Sequence, residues 1–177
     1  MLPTVRVLVE RAASARYQLA GLIAVLPPAM LDHRASAADD WTVRTHAAHA
    51  LGSDGLLLEL LEAGGVGDFE VWLGELPGRR ATAISATART EPAELLERAQ
   101  DLRAALVTAL ASVTPTELQV SAALPGARTA WGDERRITVY DYLIAWSSHD
   151  ADHEQAIRLA ILSRPDLSAV ALTRRRR

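Results

Sequence analysis

The sequence contains no cysteine, and this absence limits the chemistry that the chain carries by itself. Without cysteine there are no disulfides, no thiolate-held metal sites and no cysteine nucleophile. Any metal ion must therefore be held by nitrogen and oxygen ligands.

Aromatic residues are also scarce, with a single Phe, and much of the hydrophobic content is Ala and Leu. This balance favours helices over strands. A chain of 177 residues has the size of one ordinary domain. We expect an all-α domain over residues 1–165, followed by an Arg-rich tail at 166–177 that is disordered at its end.

Long apolar runs without charge are missing near the N-terminus. Arg6, Glu10, Arg11 and Arg16 interrupt the first apolar segment. Such charges break both the core of a secretory signal and a membrane span. We therefore expect a cytoplasmic protein that does not enter a membrane.

Lysine is absent too, so 19 Arg balance 22 acidic residues and the net charge is −3. Four of those arginines are Arg174–Arg177, which leaves an acidic body with 15 Arg against the same 22 acids. An acidic body is poorly suited to a phosphate backbone, so we do not expect a nucleic-acid partner. We interpret the Arg tail as a solvated end. The alternative, a tail that binds nucleic acid or an acidic partner, predicts salt-sensitive binding that is lost when the tail is removed.

Apolar residues recur at alternating spacings of three and four in four segments. These segments are about residues 4–26, 42–63, 90–113 and 138–162. The spacing is typical of amphipathic helices that bury one face. Four helices of this length predict a helical bundle.

The connections differ in length and in their content of Gly and Pro. Residues 64–89 are expected to hold at most a short helical turn, and residues 114–136 are expected to be irregular. Thr42, Thr90 and Thr138 are the predicted N-caps of the last three long helices. The predicted fold is a four-helix bundle with a long crossover between helices 2 and 3.

Four histidines fall on the predicted inward faces of two helices, His46 and His49 on the second helix and His149 and His153 on the last. His149 and His153 lie four residues apart on the last helix, so their rings project from the same side. His49 lies on the inward face of the second helix. A buried imidazole without a partner costs about 1–3 kcal/mol, so this arrangement needs an explanation. Three neutral imidazoles would hold a divalent metal and leave positions open for water or substrate.

Two other interpretations of these histidines stay open at this point. In the first interpretation, His149 and His153 line a partly solvated helix face and bond to Asp150, Glu154 or backbone carbonyls. In the second, His46, one turn from His49, is a substitute ligand, a hydrogen-bond donor behind the ligands or a residue at the edge of the core.

Two short motifs resemble those of the DinB-like superfamily, which includes the mycothiol-dependent maleylpyruvate isomerases. In that pattern a Trp followed by Ser or Thr opens the second helix, and a His eight residues after the Trp binds metal. The segment DDWTVRTHAAHA matches it with Trp41, Thr42 and His49. The second motif, His-x-x-x-His on the last helix, is matched by His149 and His153.

The resemblance implies a four-helix bundle in which His49, His149 and His153 bind a divalent metal, commonly zinc or nickel. It also implies a homodimer and a small-molecule substrate, with a low-molecular-weight thiol as cosubstrate. The metal would activate that thiol or a water, which is the chemistry of a transferase or a hydrolase. The isomerases tend to carry Glu at the position of His149, and this departure argues against the isomerase activity and favours the metal-hydrolase or thiol-transferase branches. The alternative is a non-catalytic, stress-associated bundle with a structural metal.

Charged residues near the histidines have secondary roles in this interpretation. Asp54, Asp150 and Glu154 lie off the predicted inward faces, so we expect them at the surface or behind the ligands. Arg44 and Arg158 are candidates to receive an anionic thiol or substrate.

Overall fold

The structure is a computed structural model, and it describes residues 1–34, 40–62, 65–87 and 89–163. The predicted tail at 166–177, with Arg174–Arg177, lies outside the described residues. Among the helices that are described, none is long and apolar enough to cross a membrane.

The described chain is mostly helical, which confirms the all-α prediction. The helices are α1 (Pro3–Ala24), α2 (Val43–Glu62), α3 (Phe69–Thr87), α4 (Pro92–Leu110), α5 (Pro115–Leu118) and α6 (Val139–Leu162). Short 3-10 turns lie at Pro28–Met30 and Gly65–Asp68. Strands β1 (Ser121–Arg128) and β2 (Glu134–Thr138) form an antiparallel pair.

Four helices, α1, α2, α4 and α6, contribute apolar residues along the whole length of the core. Helix α1 packs against α6 and α4, and α2 packs against the same two helices, so the four form a closed ring. Helix α3 lies outside this ring, where it contacts α2 and β1. This arrangement leaves space between α2, α3 and α6.

Helix α3 corrects the expectation that residues 64–89 hold only a short turn. It runs for 19 residues even though Pro77 lies inside it. Phe69, Trp72, Leu73 and Leu76 are all buried on one face of this helix. Their spacing is helical, and the burial of such an apolar face outweighs the hydrogen bond that an internal proline removes.

The segment 114–136 is also more regular than expected, because it contains α5 and most of the β1–β2 hairpin. The hairpin leads directly into α6 through Thr138, whose side chain accepts a hydrogen bond from the Asp141 backbone N–H. The predicted cap at Thr42 is confirmed as well, since its hydroxyl accepts from the Thr45 backbone N–H at 3.2 Å. The cap predicted at Thr90 is wrong: Glu91 occupies that position and makes no side-chain cap bond.

The apolar core is divided into two clusters that lie at different heights along the long helices. Between the two clusters, four helices contribute one charged residue each: Arg16 from α1, Asp54 from α2, Arg103 from α4 and Asp150 from α6. We call these four residues the ionic layer. On every one of the four helices, the charged residue separates the members of one apolar cluster from those of the other.

The ionic layer is tightly paired. Asp54 accepts from Arg103 Nε at 2.6 Å, from Arg16 Nη2 at 3.3 Å and from Trp146 Nε1 at 2.9 Å. Asp150 accepts from Arg16 Nε at 2.8 Å and from Arg103 Nη2 at 2.9 Å. Two arginines and two aspartates balance in charge, which satisfies the condition for burying ionised groups.

The expectation that the acids near the histidines lie at the surface or behind the ligands is therefore wrong for Asp54 and Asp150, which are 0% and 2% exposed within the ionic layer. Glu154 is also buried and pairs with Arg158 at 2.6 Å. Periodicity placed these acids outside the core because it counts only apolar residues, whereas a carboxylate paired with arginine is buried as well.

Candidate metal centre

His49, His149 and His153 come together where α2 and α6 pack side by side. The Nε2 atom of His149 lies 2.9 Å from Nε2 of His49 and 3.2 Å from Nε2 of His153. Each residue offers one ligand nitrogen, and the three nitrogens all lie within 4.8 Å of one another. We call these residues the histidine triad.

The triad lies at the edge of the buried seam. On α6 the centre of the buried face runs through Leu143, Asp150 and Ile157, one residue further along than the predicted face. His149 and His153 are consequently half-buried, while His49 on α2 is buried. The triad therefore lies between the packed core on one side and a cavity on the other.

The spacing of the triad nitrogens fits a shared metal ion. Two nitrogens bound to zinc at about 2.0–2.1 Å with tetrahedral angles are about 3.3 Å apart, and at a right angle about 2.9 Å. The distances of 2.9 and 3.2 Å match this range. Three nitrogen lone pairs this close repel one another unless a proton or a cation lies between them, so the donor set suits a divalent ion.

His46 contacts the triad from behind. Its Nδ1 lies 2.9 Å from Nδ1 of His153, the ring nitrogen that faces away from the triad. A neutral His153 that donates its Nδ1 proton to His46 presents the lone pair of Nε2 to the triad. His46 is therefore placed to orient a ligand from behind, as the sequence allowed, but in this tautomer it accepts the hydrogen bond from His153 rather than donating one.

Trp41 covers the same side of the site. Its ring stacks on His153 with centroids 5.8 Å apart and meets His46 and His49 edge-on at 5.3 and 5.0 Å. The Trp that precedes the second helix thus packs against rings from both histidine-bearing helices. These contacts restrict how the imidazoles rotate.

The interpretation in which the histidines bond to neighbouring acids does not fit the structure. The carboxylates of Asp150 and Glu154 are taken by arginines. Nδ1 of His149 is buried and has no hydrogen-bond partner among the described residues. The triad imidazoles therefore contact one another rather than carboxylates.

The surroundings keep the triad neutral. Burial lowers the pKa of His49 to about 3, with smaller effects from the charges of His149 and Arg80. Burial likewise lowers the pKa of His153 to about 2 and lowers the pKa of His149. A neutral imidazole is the form that binds metal, so the site favours ligation over protonation.

These shifts predict how the metal-free protein responds to acid. Unfolded histidine titrates at about pH 6.5, whereas folded His49 and His153 remain neutral well below that value. The unfolded chain therefore binds more protons, and stability falls as pH drops below about 6.5, by up to about 1.4 kcal/mol per unit for each of these two histidines. Urea unfolding of metal-free protein between about pH 7 and 5, above the range where carboxylates titrate, measures this slope.

A His49→Gln variant is the control for that slope. It lacks one neutral imidazole, so its stability should depend less steeply on pH than that of the parent. Equal slopes in parent and variant would show that the triad is not the source of the pH dependence.

A cavity of about 240 Å³ adjoins the triad between α2, α3 and α6. Its lining includes His49, His149, Tyr142 and Trp146, and α3 contributes Arg80. Burial raises the pKa of Tyr142 to about 12, so its hydroxyl stays protonated at neutral pH. Two triad imidazoles, those of His49 and His149, therefore line the same volume as a phenol and a guanidinium.

The arginine at this cavity is not one of the two that were expected. Arg44 pairs with Asp32 at 3.2 Å, and Arg158 pairs with Glu154. Arg80 was missed because α3 was not predicted. The helical spacing of the large apolar residues in this segment was the available signal, and the Gly and Pro residues among them obscured it.

The family of the chain can be identified from its sequence as a whole. The model of the DinB superfamily matches residues 11–157, a range that includes the entire histidine triad. No curated protein and no solved structure matches the chain. The match covers most of the 177 residues, and the chain therefore belongs to the DinB superfamily.

Proposed function

We propose that the protein binds one divalent metal ion, zinc or nickel, through His49, His149 and His153, and that it is a metal-dependent transferase or hydrolase. The observation that supports this proposal is the convergence of three neutral ring nitrogens beside a cavity. A purely structural site is typically closed by four protein ligands. Here the described residues offer three.

When bound, the ion would supply Lewis-acid chemistry, because three neutral imidazoles leave its positive charge uncompensated. That charge would lower the pKa of a water or of a low-molecular-weight thiol bound beside His49, His149 and His153. A thiol must come from outside, since the chain has no cysteine. The protein's own contribution is to hold the imidazoles neutral and oriented, through burial, His46 and Trp41.

The proposal does not extend to the isomerase activity of one branch of the superfamily. That branch tends to carry a carboxylate at the position of His149, which would reduce the charge of the site by one.

We propose further that α1, α2, α4 and α6 form the four-helix bundle of this superfamily and that the protein is a homodimer. Sedimentation equilibrium tests the second of these statements.

Metal titration tests the proposed function directly. Protein produced without a histidine tag and stripped with a chelator should take up a single Co²⁺, Zn²⁺ or Ni²⁺ ion per chain. The Co²⁺ form reports ligation by its visible absorption. Because positions are open, 2-mercaptoethanol should add a sulfur-to-cobalt charge-transfer band in the near ultraviolet.

The outcomes separate the proposal from its alternative. Absence of metal uptake under any loading condition would overturn the metal site itself. Uptake of Co²⁺ with a spectrum that neither thiol nor cyanide alters would indicate a closed site, and would favour a non-catalytic bundle with a structural metal.

A further inference from the structure

Arg80 lines the cavity beside the triad without a carboxylate to pair with. Its Nε is buried and has no hydrogen-bond partner in the part of the chain that the structure describes. In the same part of the chain, no acidic side chain lies within ion-pair distance of its guanidinium. A cation that is partly buried and unpaired is unfavourable unless a counter-ion joins it.

The neighbouring arginine shows that pairing was available in this helix. Arg79 lies on the exposed side of α3, where it bonds Glu75 at 2.8 Å and Glu59 at 3.0 Å. Arg80 is turned toward the cavity instead. The two consecutive arginines thus differ in one respect that matters here: the first has its counter-ions within the protein and the second does not.

With a metal ion bound, positive charge would exceed negative charge around the cavity. A divalent ion on neutral imidazoles would bring two positive charges and Arg80 brings a third. Among the described residues that line the cavity, Asp152 is the acidic one, and it is exposed. The cavity would therefore carry a positive potential next to the open metal positions, and such a potential attracts anions.

We propose that this cavity receives a carboxylate, or a similar oxyanion, of the small-molecule substrate, and that Arg80 is its counter-ion. This inference rests on the proposed metal site, because the oxyanion would enter beside the triad. A guanidinium matches a carboxylate with two parallel hydrogen bonds. Because Arg80 and the triad residues His49 and His149 line one small cavity, the site would select molecules that carry the reacting sulfur or oxygen close to the anionic group.

Two thiols of equal size test the proposal on the Co²⁺ protein. 3-Mercaptopropionate carries a carboxylate, and 3-mercaptopropionamide is its neutral counterpart. The parent should bind the carboxylate more tightly by about tenfold or more, the usual contribution of a hydrogen bond to a charged group. In Arg80→Met the preference should disappear, while Co²⁺ uptake and the affinity for the amide remain.

Arg79→Met is the matched control and should keep the full preference of the parent. Arg80→Lys, which keeps the charge but not the paired donors, should retain part of it. A second series, in which propionate is added with the neutral thiol, shows whether the oxyanion and the sulfur arrive on one molecule or on two. Arg80-dependent binding in either series supports the proposal.

The failures are distinguishable. If the parent takes up Co²⁺ but neither series shows binding that depends on Arg80, the inference about Arg80 is overturned and the metal site stands. If the parent takes up no Co²⁺, the proposed function and this inference fall together.

Discussion

Replacing Asp54 with alanine is expected to lower the free energy of unfolding by about 3–5 kcal/mol. The variant would leave Arg16 and Arg103 with Asp150 as their shared carboxylate, and would remove the acceptor of Trp146 Nε1. Buried charges without enough counter-charge are costly because the interior screens them poorly. Since domains are stable by only about 5–15 kcal/mol, this loss is a large part of the total.

Urea unfolding of metal-free protein near neutral pH measures this effect, with Glu59→Ala as the matched control. Glu59 also pairs with an arginine, at 3.0 Å, but this pair is exposed, so we expect a change below about 1 kcal/mol. The isosteric Asp54→Asn keeps an acceptor for Trp146 and removes the charge, so it separates the two contributions. A loss in Asp54→Ala no larger than in Glu59→Ala would show that the ionic layer contributes little.

The burial of four charged residues between two apolar clusters calls for a physical reason. Buried ion pairs often stabilise a fold less than apolar residues of the same volume would, and their best-attested use is to set register. Here one charge from each long helix must reach the same height for all four to pair. The same pairing joins Asp54 of α2 and Asp150 of α6, the two helices that bring His49 and His149 together, through Arg16 and Arg103.

Replacing His149 with alanine should weaken metal binding more than about a hundredfold, because even residues behind the ligands typically contribute 10–100-fold. The Nε2 atom of His149 is the one that contacts both other triad nitrogens. Its loss would leave two imidazoles on different helices with no third donor. Competition with a coloured chelator measures the affinity for Zn²⁺ in parent and variant.

Two control variants refine this prediction. His33 lies outside the triad and contacts Ser163 at 2.9 Å, so His33→Ala should bind metal like the parent. His46→Ala should fall between them, with a loss of about 10–100-fold, since it orients His153 without joining the triad. A loss in His46→Ala as large as in His149→Ala would assign His46 as a ligand, and unchanged affinity in His149→Ala would exclude the triad as the metal site.

The metal-site candidates were predictable because helix periodicity depends on local sequence. His149 and His153 share a side of α6 through spacing alone, and the DinB-like motifs singled out His49. Residues of the cavity and the ionic layer were not predictable in this way. Helix α3 was missed because Gly and Pro weaken local helix preference, and its buried apolar face outweighs them only once α2 and the hairpin are in place.

The sequence by itself determined the all-α class, the approximate bounds of helices α1, α2, α4 and α6, and which three histidines are the candidate metal ligands. These follow from apolar spacing, capping residues and short motifs, which act over a few residues. Tertiary structure alone decided that Asp54 and Asp150 are buried, that His46 lies behind His153 and that Arg80 reaches the cavity. The first two depend on partners from a distant helix, because a buried charge or ring is stable only where another part of the chain supplies the matching group. The position of Arg80 depends instead on the packing of α3 against α2 and β1.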